Sequence, residues 1–223
     1  MLNRDNHLVG TATPDGMNQY TGVTGQGLAY DANFNLSYLN GGSVTYDNEN
    51  RATSISINGS VVAQFTYDGL GRCLKRTMDG TTTQIAYYGW KPFVEWDAAG
   101  NMLAYNIYGA GADEILLRYQ NGAGNLHYHL DRLGNVQFIL ADNGIGLEKY
   151  SYDAFGDPTV TKWDNSASGT ASYYGNRFMF TGREYFPSLA VYDFRHRFYR
   201  PSLGQFLQPD PTGCGGGDAN IYR

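Results

Sequence analysis

Residues 61–80, VVAQFTYDGLGRCLKRTMDG, place two runs of alternating apolar and polar residues on either side of Tyr67-Asp68-Gly69-Leu70-Gly71-Arg72. Alternation with a period of two is the signature of a strand with one buried face. The hexapeptide between the runs has the chemistry of a reversal. Tyr closes a strand, Asp68 can accept backbone N–H bonds at the start of a type I turn, and Gly71 supplies the positive φ that a bulge needs. The run ends at Asp79-Gly80, itself a hairpin signal. The stretch therefore reads strand, turn, return strand.

The same pattern recurs along the chain: YDANFN at 30, YDNENR at 46, WDAAGN at 96, LDRLGN at 130, YDAFGD at 152 and YDFRHR at 192. Residues 127–144, HYHLDRLGNVQFILADNG, repeat the strand, turn, strand reading, with Asp131 and Gly134 as the turn pair. Asp153 and Gly156 form the next such pair. An all-β fold follows: an antiparallel β-hairpin meander forming a curled sheet, because long sheets twist and curl. DEILLRYQ at 113–120 is the single candidate helix, short and bounded by turn residues. TKWDNSASGTASYYG at 161–175 is small, polar and without alternation, which predicts a long loop. The predicted organisation is a repeat region over 1–160, that loop, and a distinct C-terminal segment over 176–223.

Composition supports this reading and narrows function. Twenty-nine glycines and 19 tyrosines in 223 residues, with glycine at nearly twice its usual share of roughly 7%, suit a chain that turns often and pairs aromatic strands. Sixteen basic against 21 acidic residues give a net charge of −5. With no run of Lys and Arg to track a phosphate backbone, nucleic acid is not an expected partner. No apolar run approaches the roughly 20 residues that span a bilayer, and MLNRDNHLVGTATPDG lacks the apolar core of a signal peptide. Cys73 and Cys214 could form at most one disulfide and do not make a zinc site; free thiols are expected.

Several constellations invite a chemical reading. His127, His129 and Asp131 share one face if HYHLD is a strand, as metal ligands could, but no fourth ligand is evident and Asp131 is expected in a turn, so no metal is predicted. GCGGGD at 213–218 could present a nest of N–H groups to an anion, yet lacks the Lys-Ser/Thr of a phosphate loop and reads as a connector. GAGADE and GQGLAY fail the dinucleotide fingerprint, and no cofactor is expected. Arg183, Arg195, Arg197 and Arg200 lie among Tyr185, Phe194, Phe198 and Tyr199, with Glu184 and Asp193 nearby; pairing and ring stacking are the expected roles.

The tract from Tyr105 through FTGREYFPSLAVYDFRHRFYRPSLGQFLQPDP resembles the RHS/YD-repeat family, specifically its RHS repeat-associated core. The residues that carry the resemblance are Phe180, Thr181, Gly182, Arg183 and Glu184, then Arg197, Phe198, Tyr199, Pro201, Leu203, Gly204, Phe206, Asp210 and Pro211. The chain departs from the pattern at Phe186, Ala190 and Arg200. It stops at GGGDANIYR, before the second Asp-Pro-x-Gly-Leu segment of the family, so a C-terminally truncated core is expected.

The resemblance implies a β-sheet strip that winds into a hollow shell around a C-terminal toxin, in bacterial polymorphic toxins and insecticidal toxin complexes, secreted or displayed at the cell surface. It also implies self-cleavage of an aspartic type. Such chemistry needs two carboxyls close enough to share a proton; Asp210 matches the family acid and Asp218 is the next acid along. The leading expectation is a non-catalytic shell segment whose partners are the rest of a shell, another copy of itself, or a toxin cargo. The alternatives are a latent autoproteolytic core and a carbohydrate-binding or adhesion module that uses exposed aromatics.

Overall fold

The computed structural model describes residues 13–15, 19–22, 27–213 and 220–223. Its strands, in chain order, are β1 (Thr13–Pro14), β2 (Tyr20–Gly22), β3 (Leu28–Tyr30), β4 (Leu36–Leu39), β5 (Gly42–Tyr46), β6 (Ala52–Ile57), β7 (Ser60–Tyr67), β8 (Cys73–Met78), β9 (Thr81–Tyr88), β10 (Lys91–Trp96), β11 (Met102–Tyr108), β12 (Ile115–Gln120), β13 (Gly124–Leu130), β14 (Val136–Leu140), β15 (Gly146–Tyr152), β16 (Pro158–Lys162), β17 (Ser168–Gly169), β18 (Glu184–Phe186), β19 (Val191–Asp193), β20 (Phe198–Arg200) and β21 (Gln205–Phe206). The fold is all-β, and no α-helix occurs among the described residues. The helix candidate at 113–120 is instead β12, paired on both sides through Tyr105↔Tyr119 and Leu117↔His127. Two ladders outweigh the weak helical period of so short a segment.

The chain divides into two compact units, residues 1–81 with 195–223, and residues 82–194. In the first, β3 to β8 pair consecutively and antiparallel, beside the β1–β2 and β20–β21 pairs. In the second, β9 to β17 do the same, with β18–β19 as a separate hairpin. Within 161–175, β17 folds back on the end of β16, closed by Lys162 N–H on the Ala167 carbonyl at 2.9 Å.

Two kinds of reversal alternate, and both are written in local sequence. Asn40-Gly41 and Asn58-Gly59 hold successive positive φ values, 48° and 86°, 50° and 80°. These are the two-residue turns whose twist matches that of paired strands. The other reversal is the Tyr-Asp turn. At Asp68, one carboxylate oxygen accepts the N–H groups of Leu70 and Arg72, each at 2.9 Å, while the other accepts Arg72 Nε at 2.7 Å. Gly71 N–H returns to the Asp68 carbonyl at 3.0 Å with φ +84°. Asp31, Asp47, Asp97 and Asp131 repeat the scheme, with Asn35, Arg51, Asn101 and Asn135 as side-chain donors. Asp153 keeps the backbone half only, because its fifth residue is Asp157, an acid that cannot donate. The ladder slips register beside these turns, as at Thr66/Tyr67 and His129/Leu130, where a bulge sits. The copy at 192 is built differently: Asp193 lies in β19 opposite Glu184.

In the second unit the inward residues of the strands, including Ile85, Ala104, Ile115, Leu126, Tyr128, Val136, Ile139, Tyr150 and Val160, are buried. Residues 176–192 cover them. Phe178 packs edge-on against Tyr108 and Tyr128, both at 6.4 Å, and Val136 N–H donates to the Met179 carbonyl at 3.1 Å. Each such ring contributes about 1.5–3 kcal/mol on burial. Gly182 lets the cover come this close: its φ is +70°, and a Cβ there would sit 2.4 Å from the Asp113 carbonyl oxygen. In the first unit, Phe198 packs on Phe65 at 5.2 Å, and Leu36 N–H donates to the Leu207 carbonyl at 2.8 Å.

Candidate functional site

Three groups of residues could carry function: the Tyr-Asp turns, the corner around Asp210, and a buried charge cluster. The turns do more than reverse the chain. Tyr46, just before Asp47, donates its hydroxyl to the carbonyl of Leu36, the residue that follows the preceding turn, at 2.7 Å. Tyr67 reaches Ala52 at 2.8 Å and Tyr152 reaches Val136 at 2.8 Å, each five residues beyond the preceding turn aspartate. The hydroxyls of Tyr46 and Tyr152 are buried, which pushes both phenols up and keeps them neutral donors. Three repeats are therefore tied to their predecessors by their own Tyr, whereas the copies that carry Trp96 and Leu130 have no hydroxyl to give.

The carboxyls of Asp68, Asp97 and Asp131 are held below their ordinary range. At Asp68 burial pushes the carboxyl up, but the backbone and side-chain bonds from Arg72 and the N–H of Leu70 outweigh it, and the net shift is down. Asp131 shows the same balance, with Asn135 as the principal donor. Asp131 is thus committed to its turn. His127 is directed at Asp142 at 2.8 Å, and His129 stacks on Phe138 at 4.4 Å. Residues that share a strand face in the sequence have separate partners in the fold.

The Asp210 corner follows β21. Thr212 hydroxyl and N–H donate to one Asp210 oxygen at 2.6 and 2.8 Å, and Arg197 Nη2 approaches the other at 3.0 Å. The Thr212 bonds, with Arg197 adding to them, hold the carboxyl below its usual range. Arg197 lies over the Phe206 ring at 3.6 Å from its centroid. Tyr199 meets the same ring edge-on at 5.4 Å. Pro201 begins the tight turn that Gly204, at φ +65°, completes, with Gly204 N–H on the Pro201 carbonyl at 3.0 Å. Pro209 and Pro211 border a cleft of about 270 Å³ that also touches Arg51, Gly71, His196 and Gln208. Burial, then the guanidiniums of Arg195, Arg51 and Arg197, push the His196 imidazole down, so it is neutral at pH 7. Asp218 and Cys214 lie outside the described residues.

Within the basic cluster, Arg183 and Arg197 each stack on a ring and pair with an acid. Arg183 lies over Phe194 at 5.0 Å and pairs with Asp113 at 3.0 Å.

The sequence gives no direct sign of the third group. Arg118, fully buried, donates to both oxygens of the buried Glu95 at 3.0 and 3.1 Å, to Asn106 Oδ1 at 2.9 Å and to Gln120 Oε1 at 3.0 Å. Arg177 Nη2 bridges Glu95 at 2.6 Å and Glu184 at 3.1 Å. Beside this lies a second network, in which Glu148 accepts from Tyr150, Ser172 and the N–H of Tyr173, and Asn176 links Tyr150 to Tyr128. Burial, and then the Glu148 charge, push the Tyr150 phenol well up. A faint signal exists: Glu95, Arg118 and Glu148 occupy inward strand positions where alternation calls for apolar residues. Among the described residues no group of three or more His, Cys, Asp or Glu side chains could hold a metal ion, and no helix is long and apolar enough to cross a membrane.

No family model matches the chain. Among curated proteins it is 30% identical over 207 residues to the tRNA nuclease WapA of Bacillus subtilis, covering 91% of this chain and 8% of that protein. It is 25% identical over 209 residues to double-stranded DNA deaminase toxin A of Burkholderia cenocepacia, covering 80% and 14%. The chain thus spans a small fraction of these relatives. Among solved structures, the Tc holotoxin pore of Photorhabdus luminescens with mutated TccC3 aligns with 87% of this chain and 10% of its own, at TM-score 0.66 and 16% identity. A TcdB2–TccC3 crystal structure aligns over the same shares at TM-score 0.65 and 15% identity. The chain shares the fold of these two structures over most of its length, and the ordered motif string from Phe180 to Pro211 with the Asp-capped hairpin repeat carries its resemblance to the RHS/YD-repeat family.

Proposed function

We propose that the chain is a structural wall segment of a larger RHS shell that encloses or displays a toxin, and that it performs no catalysis of its own. The observation that carries this reading is the Tyr bond from one repeat to the last, at Tyr46, Tyr67 and Tyr152. A hairpin that completes its hydrogen bonding only on a preceding hairpin is a unit for building a continuous strip, as in other repeat architectures. Relatives that include a nuclease and a deaminase toxin, each matched over a small part of its length, support a common wall beside differing active parts. Exposed Tyr88, Phe93, Met102 and Ile107 leave apolar surface for the rest of the shell, or another copy, to cover. Secretion or surface display accompanies this role.

The test is protease protection in the longest natural polypeptide that contains this segment. The region that follows the segment should resist digestion in the intact protein and be digested when expressed alone. Equal digestion in both settings overturns the reading. Size-exclusion chromatography with light scattering on the isolated chain should show association, and a compact monomer counts against it.

Aspartic self-cleavage is a second reading, and one observation favours it: Asp210 is held anionic, as the base of a carboxyl pair must be. Its partner would be Asp218 or an acid supplied by a downstream Asp-Pro-x-Gly-Leu segment. Appending such a segment should give a cut that Asp210→Asn abolishes; an uncut parent removes the reading.

A further inference from the structure

The residues at 220–223 are bonded to two regions far apart in sequence. On one side, Phe206 N–H donates to the Tyr222 carbonyl at 3.0 Å and Asp210 N–H to the Ile221 carbonyl at 2.7 Å, with Arg197 Nη1 on the same carbonyl at 3.4 Å. On the other, the Tyr222 hydroxyl donates to the Phe34 carbonyl at 2.6 Å and accepts from Gln19 Nε2 at 2.8 Å, while its ring meets Tyr30 edge-on at 6.0 Å. Tyr222 is 1% exposed, and burial pushes its phenol up to about 12. Tyr222 thus has its side chain in a fitted socket, while its carbonyl holds β21.

We propose that residues 220–223 act as a strap, with Tyr222 as its latch, that fastens β2, β3 and the Asp31 turn to β20–β21. The first unit is built from two stretches of chain, 1–81 and 195–223. Two further bonds across the same seam are Tyr20 hydroxyl to the Leu203 carbonyl at 3.3 Å and Leu36 N–H to the Leu207 carbonyl at 2.8 Å. The strap adds the Gln19, Phe34 and Tyr30 contacts to these. It also registers the Asp210 corner, since Asp210 and Arg197 converge on one strap carbonyl.

Hydrogen exchange on the whole chain tests this with two variants. Tyr222→Phe keeps the ring and removes the bonds to Phe34 and Gln19; Tyr222→Ala empties the socket. We expect exchange at the Phe206 and Asp210 amides to accelerate several-fold in the first and at least tenfold in the second. The β13 and β14 amides of the other unit should stay at their original rates. Unchanged Phe206 and Asp210 rates in either variant overturn the proposal. So does an acceleration of equal size in both units, which would mark Tyr222 as an ordinary core residue. Should Tyr222→Ala fail to fold, Tyr222→Phe decides alone.

Discussion

Glu95→Gln removes one charge from the centre of the buried cluster and almost nothing else. Glu95 accepts two bonds from Arg118, at 3.0 and 3.1 Å, and one from Arg177 at 2.6 Å. The amide can still accept at one oxygen, but its NH₂ now faces a guanidinium, and Arg118 is left buried without its counter-charge. Removing one partner of such a pair costs about 3–5 kcal/mol. For a domain of 150–250 residues, each kcal/mol moves Tm by about 2–4 °C, so a loss on the order of 6–20 °C is expected. Because the chain has two compact units, one Tm need not describe both. The better assay is urea-dependent hydrogen exchange at the Arg118, Leu126 and Ile139 amides, which read the second unit directly. Glu95→Met combined with Arg118→Met removes both charges and keeps the volume. It should recover most of the loss, since a buried pair replaced by apolar residues is often neutral, and Arg177 keeps Glu184 at 3.1 Å. A single-variant loss below about 1 kcal/mol, or a double variant worse than the single, would falsify the assignment of this cluster as a coupled buried network.

Gly182→Ala should destabilise the chain by about 1–3 kcal/mol more than Gly59→Ala, the range for overpacking. Both glycines have positive φ, but only the first would press a Cβ on the Asp113 carbonyl; equal losses in thermal melts would contradict this. Tyr152→Phe should cost about 0.5–1.5 kcal/mol, the worth of one hydrogen bond, with faster exchange at Val136 and its neighbours; an unaltered chain would argue against the repeat tie. Asp68 and Asp131 have carboxyls depressed below the ordinary 3.8. Their stabilisation is therefore present above that value and lost as pH falls through the lower folded one. Asp131→Ala should cost about 1 kcal/mol at pH 7 and make the acid limb of a stability profile shallower. An acid limb as steep as in the parent would mean that other groups drive acid unfolding.

The local chemistry of this protein is written in its sequence because a Tyr-Asp turn is closed within six residues. Asp68 accepts from Leu70, Gly71 and Arg72 inside the turn, so the hexapeptide alone implies the hairpin, and its recurrence implies the all-β meander. The alternation in HYHLD likewise marks β13, with Leu126 and Tyr128 facing inward. What Tyr67 does with its hydroxyl depends on a carbonyl 15 residues away in the preceding repeat, and a strand-ending preference says nothing of that. The Glu95, Arg118, Arg177 and Glu184 cluster draws on separate strands and a covering segment, with 82 residues between Glu95 and Arg177. Alternation marks Glu95 and Arg118 only as misplaced charges and names no partner for either. Tyr222 is the extreme case: its socket includes Gln19, 203 residues earlier. Short-range turn geometry is fixed by neighbours in the chain, whereas the pairing of a buried charge or a buried hydroxyl is decided by whichever distant group the folded sheet brings within 3 Å or so, because burial leaves no water to substitute.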